Sequence, residues 1–245
     1  MNRRNFMKMT LLGIVGLIRL SAPKTGKRSK KMIRHTNSSG SGIQLASSTY
    51  NWVHSAPSPV DAKNYGIMVG VAVFGAQTVS SVTITAGGVT RNLTLIMGHT
   101  TGSLRNEVWH IADVPPVDQT VEVTLSASGN SNAGASTYAW LGGIGAIEFA
   151  GGAGGVTLIT KRDNSILYGS FMTNAITGVV DRIDLPQNNR VFMESAVGSH
   201  SISDTGPWEV LPEGTEIGWE GFGGSSTDVI CVELINNNVV DSSIG

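Results

Sequence analysis

The chain has 245 residues, 40% of them hydrophobic and only 14% charged, with 31 glycines and a single cysteine. Average soluble domains carry roughly 25% charged residues and about 7% glycine. A coiled coil, a charged disordered chain and a disulfide scaffold are therefore excluded, and glycine at this density argues against a helical bundle. The net charge of −1 conceals a split, because residues 1–34 hold ten of the 17 basic residues and none of the 18 acidic ones. The acidic remainder repels phosphate, so only the front of the chain can hold a polyanion.

The front reads as an address. Arg3 and Arg4 are followed by Phe6, Met7 and Lys8, then by an uncharged stretch from Met9 to Ile18 and the small residues Ser21 and Ala22. A charged start, a short apolar run and small residues make a signal peptide. Ten helical residues rise only ~15 Å, against a hydrocarbon core of ~30 Å, so no transmembrane span is expected. Asn2, Arg3, Arg4, Phe6, Met7 and Lys8 resemble, in order, the twin-arginine export signal. That resemblance implies export from a bacterium or archaeon after cytosolic folding, with residues 1–22 as the signal. Lys24, Lys27, Arg28, Lys30, Lys31 and Arg34 follow. Positive charge there opposes translocation. The same basic residues also fit a nucleic-acid-binding arm on a capsid-type shell protein.

Residues 35–48 are rich in Ser and Gly, and with the basic run they read as a linker over 23–48. Residues 49–236 read as one β domain and 237–245 as a polar tail. Val121, Val123 and Leu125 alternate with Glu122, Thr124 and Ser126, the period of a half-buried strand. Val82, Ile84 and Ala86 alternate likewise, and Gly87-Gly88 then supply a hairpin turn before Val89. Further strands are expected over 50–55, 66–74, 106–112, 137–149, 156–160, 165–172, 190–196, 215–221 and 227–235. The runs 66–74 and 229–235 are apolar on both faces and should be central. A short helix fits only near 60–65 or 176–185. The expectation is an all-β protein, a two-sheet antiparallel β-sandwich behind a basic and apolar leader.

The order of segments resembles a jelly-roll-like sandwich domain of bacterial and phage surface proteins. The resemblance rests on Tyr50 to His54, Ile67 to Phe74, the hairpin Val79 to Val89, Val108 to Ile111 before Pro115-Pro116, Thr120 to Thr124, and the closing strand Asp228 to Ile235. It implies a non-catalytic part of a surface or virion protein.

Candidate chemistry is sparse. Cys231 lies in an apolar run and reads as a small buried hydrophobe. His35, His54, His99, His110 and His200 are scattered without the spacing of a zinc site. Asp204-Thr205-Gly206 matches the aspartic-protease triplet, whose chemistry needs two carboxylates sharing a proton. It stands in a turn-like setting before Pro207-Trp208. Glu209, Glu213, Glu216 and Glu220 could supply a glycosidase pair only at a separation that sequence does not fix. Loop carboxylates offer no ligand ladder for a structural Ca²⁺, so no cofactor or metal is expected. Trp52 and Trp208 lie near loop signals and are the candidates for stacking on sugar rings; Trp109, Trp140 and Trp219 sit inside strand patterns. Asn37-Ser38-Ser39 and Asn92-Leu93-Thr94 are sequons.

The expected function is a non-catalytic, exported β-sandwich. Its role would be structural or adhesive in the periplasm, at the cell surface or outside the cell, with a glycan or other copies of itself as partner. The alternative is a virion capsid or spike protein that keeps its basic arm and contacts nucleic acid. A secreted glycan-acting hydrolase is the third reading.

Overall fold

The computed structural model describes residues 33–43, 47–57, 64–151, 156–162, 165–174, 181–182, 188–195, 197–205, 214, 216–220 and 227–236. The proposed signal, the basic run up to Lys31 and Trp208 lie outside them, as does most of the two helix alternatives. All regular structure among the described residues is strand, and no helix there is long and apolar enough to cross a membrane.

The first half of the chain contributes β1 (Arg34–Ile43), β2 (Thr49–His54), β3 (Tyr65–Phe74), β4 (Val79–Ala86), β5 (Val89–Asn92), β6 (Thr94–Thr101), β7 (Leu104–Ile111), β8 (Gln119–Leu125) and β9 (Asn130–Ala139). The second half contributes β10 (Gly143–Gly151), β11 (Val156–Ile159), β12 (Ile166–Thr173), β13 (Asp181–Arg182), β14 (Asn188–Ser195), β15 (Gly198–Asp204), β16 (Glu216–Glu220) and β17 (Thr227–Ile235). Four sheets result. Sheet I has the order β1-β9-β3-β7-β6 and sheet II the order β2-β8-β4-β5. Sheet III has the order β10-β17-β12-β15-β14 and sheet IV the order β11-β16-β13. Every pairing is antiparallel.

Hydrophobic alternation stacks these sheets. Val121, Val123 and Leu125 join Val82, Ile84, Ile67, Val69, Val71 and Val73 in a core between sheets II and I. Met68, Val108 and Tyr138 from the other face of sheet I meet Tyr168, Ile202, Ile230 and Val232 of sheet III. Leu167, Phe171, Val229 and Cys231 then pack on Val156 and Leu158 of sheet IV. The layer order is II, I, III, IV. Strand β3 is buried throughout because sheet I is covered on both faces, which is why residues 66–74 carry no polar stripe.

The all-β sandwich expected from sequence is present, and it is present twice. Each half runs strands in the jelly-roll order: first–last–third and then the seventh of nine strands (first half) or the sixth of eight (second half) in one sheet, with the second strand and its neighbours in the other. The match extends to irregularities. A one-residue bulge separates Leu95↔Trp109 from Met97↔Val108, and another separates Asn189↔Ser203 from Val191↔Ile202. Strands β1 and β10 are each bulged near their starts as well, at His35/Asn37 and at Ile144/Ile147. Register places Gly70 opposite Val108 and Gly134, and Ser170 opposite Ile202 and Ile230. Gly70 and Ser170 are thus equivalents, and they face each other across the I–III interface. The two jelly rolls are related by a local two-fold, as in an isologous dimer, but within one chain.

Four expectations change. Residues 34–43 are not linker but strand β1, paired along β9. Arg34, expected in the basic arm, is the first residue of that strand. The single strand expected over 137–149 is two strands, broken at Trp140, whose φ of 57° is left-handed. Strand β15 passes unnoticed in the sequence, and Asp204 lies in it rather than in a turn.

A Cβ on Gly70 would meet Ser170 Oγ at 2.8 Å, Tyr168 Oη at 3.0 Å and Ile202 Cδ1 at 3.2 Å. Gly70→Val should therefore destabilise the chain by about 1–3 kcal/mol, the usual cost of overpacking, read from the urea midpoint. A change within error would show that the I–III interface is looser than described.

Candidate functional site

Strand β1 brings together side chains far apart in sequence. Asn37 and Ser39 face sheet II, and on that side stand His54 and Trp52 of β2. Asn37 Nδ2 donates to Ser55 O at 2.6 Å and contacts His54 Nε2 at 3.1 Å. The Ser55 carbonyl can only accept, which fixes the amide orientation and leaves Asn37 Oδ1 beside Thr36 Oγ1 at 3.0 Å. His54 Nε2 is therefore an acceptor, and Thr137 Oγ1 also reaches it at 2.7 Å. The ring proton sits on Nδ1 and is donated to Ser39 Oγ at 2.6 Å. Trp52 Nε1 donates to the same oxygen at 2.8 Å.

This geometry has the outline of a Ser–His pair and the wrong polarity for one. A nucleophile–base pair needs the imidazole to accept the hydroxyl proton. Here the hydroxyl oxygen accepts from the imidazole and from the indole. Burial pushes the His54 pKa down to about 4, so the ring stays neutral. A second contact, His35 Nε2 to Ser38 Oγ at 2.7 Å, continues to Ser136 Oγ at 2.8 Å. Burial first, and then the Arg190 charge, lower the His35 pKa to about 3. Both clusters lock β1 onto its neighbours.

The I–III interface carries a carboxylate of the second half at each end. Asp204 receives Arg190 Nε at 2.9 Å, Arg190 Nη2 at 2.7 Å and Tyr138 Oη at 2.8 Å. The protease-like triplet is thus a buried ion pair, both oxygens taken. At the other end Asp228 Oδ2 accepts from His99 Nδ1 and, at 2.9 Å, from Thr101 Oγ1. Burial pushes the Asp228 carboxyl pKa up, while His99 and Thr101 pull it back. Among the described residues no hydroxyl or thiol contacts His99 Nε2, so none of them serves this His–Asp pair as a nucleophile. Between the two ends, Ser170 Oγ donates to Asn106 Oδ1 at 2.8 Å and contacts His200 Nε2 at 3.0 Å. Burial takes the His200 pKa down to about 3.

Two further carboxylates are structural. Glu107 binds Arg105 Nε and, at 2.8 Å, Trp109 Nε1, and burial pushes its pKa up. Glu233 collects the backbone N–H of Ala146 at 2.9 Å, of Lys161 at 2.9 Å and of Arg162 at 3.1 Å, and the Ser165 hydroxyl at 2.5 Å. It pins the bulge of β10 to the segment before β12. Cys231 is fully buried and burial raises its thiol pKa far above the ordinary value, as expected of a small hydrophobe. Among the described residues no group of three His, Cys, Asp or Glu is placed to hold a metal.

The sequence candidates fare unevenly. Trp52 is half-buried, faces inward with Tyr50 and His54, and stacks on Tyr50 at 6.2 Å. Its indole is spent on packing and on the Ser39 hydrogen bond. Trp109 is in the core, whereas Trp140 stands in the turn between the halves. Glu216 and Glu220 are placed on β16, but their side chains, with Glu209 and Glu213, lie outside the description. The Asn37 to Ser39 cluster has no mark in the sequence because β1 carries no apolar period, and its one local signal is the density of Ser and Thr at 36, 38, 39 and 41.

Fold and clusters together define an all-β tandem jelly-roll protein whose converging polar groups act as braces. Compared with protein-family models, with curated proteins and with solved structures, the chain matches none.

The buried histidines set the acid response. A histidine whose pKa is depressed in the folded state is neutral there and gains a proton on unfolding below pH 6.5, so stability is lost as pH falls. At pH 5, His54 and His200 should each cost about 2 kcal/mol relative to pH 7.5. Glu107 and Asp228, with raised pKa values, act in the opposite sense. His54→Gln and His200→Gln isolate the histidine component, and each should remove about one proton from the slope of unfolding free energy between pH 6 and 5. An unchanged slope in both refutes the assignment. For the ion pair, Asp204→Asn should cost about 3–5 kcal/mol, because the charge that compensates the part-buried Arg190 guanidinium is lost. The double change Asp204→Leu with Arg190→Met should recover more than half of that in chemical denaturation. Equal losses in the two would show that the pair is not coupled.

Proposed function

We propose that the chain is a non-catalytic structural or adhesive protein, exported and displayed in the periplasm, at the cell surface or beyond it. One observation carries this reading. Among the described residues, the Ser39–His54, Arg190–Asp204 and Glu233 constellations have their hydroxyl, imidazole or carboxylate atoms engaged in intramolecular bonds, and the His99–Asp228 pair, where Asp228 Oδ1 is left over, is the exception. Catalytic sites instead keep a nucleophile or base open to substrate. Two jelly rolls fused face to face give a rigid body, and the leader supplies the export address through Arg3, Arg4, Phe6 and Lys8.

A second reading, a virion shell or spike protein, is favoured by the pairing of jelly rolls with a leader that holds nine basic and no acidic residues before β1. Jelly rolls recur in capsids and lectins alike, and Lys24 to Lys31 would then neutralise packaged phosphate.

Replacing Arg3 and Arg4 by Lys should leave the protein in the cytosol. The exported wild type should have lost about its first 22 residues by mass spectrometry, the length of the signal read in the sequence. An intact N-terminus on particles that hold nucleic acid would reject the surface reading in favour of the virion.

A further inference from the structure

Sheets I and III are each covered on both faces, so they can meet a partner only along their edges. On one side of the stack the edge strands are β6 of sheet I and β10 of sheet III, lying one above the other. The His99 and Phe149 rings meet across the gap with centroids 4.6 Å apart. Neither strand contains Lys, Arg or Pro, and the devices against edge pairing that they do carry are Glu148 and one bulge near the start of each strand. Past their bulges, Met97–Thr101 and Ile147–Gly151 run in unbroken register with their inner neighbours. Their outward backbone groups stay regularly spaced.

This rim is also apolar. Ile96, Met97, Ile144 and Ile147 pack on the I–III core but are only partly buried. Phe149, whose ring meets His99 in this layer, is 45% exposed, and Leu95, which shares the sheet II face of β6 with Trp109, is 42% exposed. The hydrophobic layer that joins the two jelly rolls thus continues to the surface here. At the opposite rim the positions equivalent to Ile96, Ile144, Ile147 and Phe149 carry Arg190, His35, Ser38 and Gly40, so that rim is the more polar of the two although Val191 and Met193 pack on the same core there and Phe192 is 43% exposed.

We propose that the β6/β10 rim is a self-association surface, and that its partner is a second copy of this chain related by a two-fold axis normal to the sheets. A single added strand could pair with one layer only. Satisfying both edges takes a partner with two stacked sheet edges at the same ~10 Å spacing, and a second copy has them. Strand β6 would pair antiparallel with its counterpart and β10 with its own, giving two continuous ten-stranded sheets. Leu95 and Phe149 would close the seam. This inference deepens the structural role proposed above by naming the partner, and it rests on that reading.

Sedimentation equilibrium of the full chain should show a dimer. Leu95→Lys with Phe149→Lys should raise its dissociation constant about a hundredfold or more, while the monomer keeps the far-ultraviolet circular dichroism of the wild type. Val53→Lys, 63% exposed on the outer face of sheet II, should leave the dimer intact. Amide exchange at Met97–Thr101 and Ile147–Gly151 should slow as protein concentration rises. A chain still monomeric at about 100 μM, and so with a dissociation constant well above that concentration, overturns the proposal. So does a dimer indifferent to the lysine pair, or protection at the rim that does not depend on concentration, which would mean that the chain covers its own edge. None of these results touches export or the absence of catalysis, so the broader reading is judged separately.

Discussion

The face-to-face contact of sheets I and III is the constraint from which the rest follows. Stacked sheets sit ~10 Å apart, and the residues at their closest points must be small. Gly134 leaves room for Ile202 Cδ1 and Gly40 for Val191 Cγ1, while Gly70 faces Ser170. Strand β9 is buried over its whole length, yet it is made of Asn, Ser, Ala, Gly and Thr with one Tyr. Bulk there would force the two jelly rolls apart. The large side chains of this layer come instead from β12, β15 and β17, which fill the space that the small residues of β9 leave.

That contact also explains why so many polar groups are buried and why they are tied together. A carboxylate removed from water is costly unless paired and hydrogen-bonded. Asp204 and Asp228 stand at opposite ends of the interface, and each takes donors from the first half: Tyr138 for one, His99 and Thr101 for the other. The bulge in β14 turns Arg190 inward to complete the first pair. The same desolvation depresses the imidazoles of His35, His54 and His200. Constellations that resemble catalytic sites on paper arise here from the need to satisfy buried donors and acceptors, and the direction of each hydrogen bond tells the two cases apart.

The sequence makes some of this visible and hides the remainder for physical reasons. Strands β4 and β8 border solvent on one face, so alternation betrays them, and the glycines of the 87–88 turn take the left-handed conformations (φ 56° and 81°) that the hairpin needs. Strand β3 is legible as a run without a polar stripe. Strands β1, β9 and β15 are not legible, because a layer closed by small and polar residues has no hydrophobic period. The cluster of Asn37, Ser39, Trp52 and His54 depends on β1 being a strand, so it disappears with that strand. Cys231 and the inward face of β8 depend only on local pattern and are legible. The break at Trp140 is hidden because a left-handed Trp has no signature in composition.

The duplication escapes the sequence for a related reason. Equivalent positions keep topology and bulges but not chemistry: Gly70 matches Ser170, Met68 matches Tyr168, Asn106 matches His200 and Ile96 matches Arg190. In a homodimer both halves of an isologous contact must be the same residue, so a clash or an unpaired charge at the axis occurs twice. Within one chain the halves are free to differ. Ser170 can donate to Asn106 while His200 approaches the same hydroxyl, an arrangement that strict symmetry forbids. The same freedom lets one rim close with Arg190 and His35 while the other stays apolar. The symmetry of the fold sets where edges lie, and its breaking decides which of them remains available.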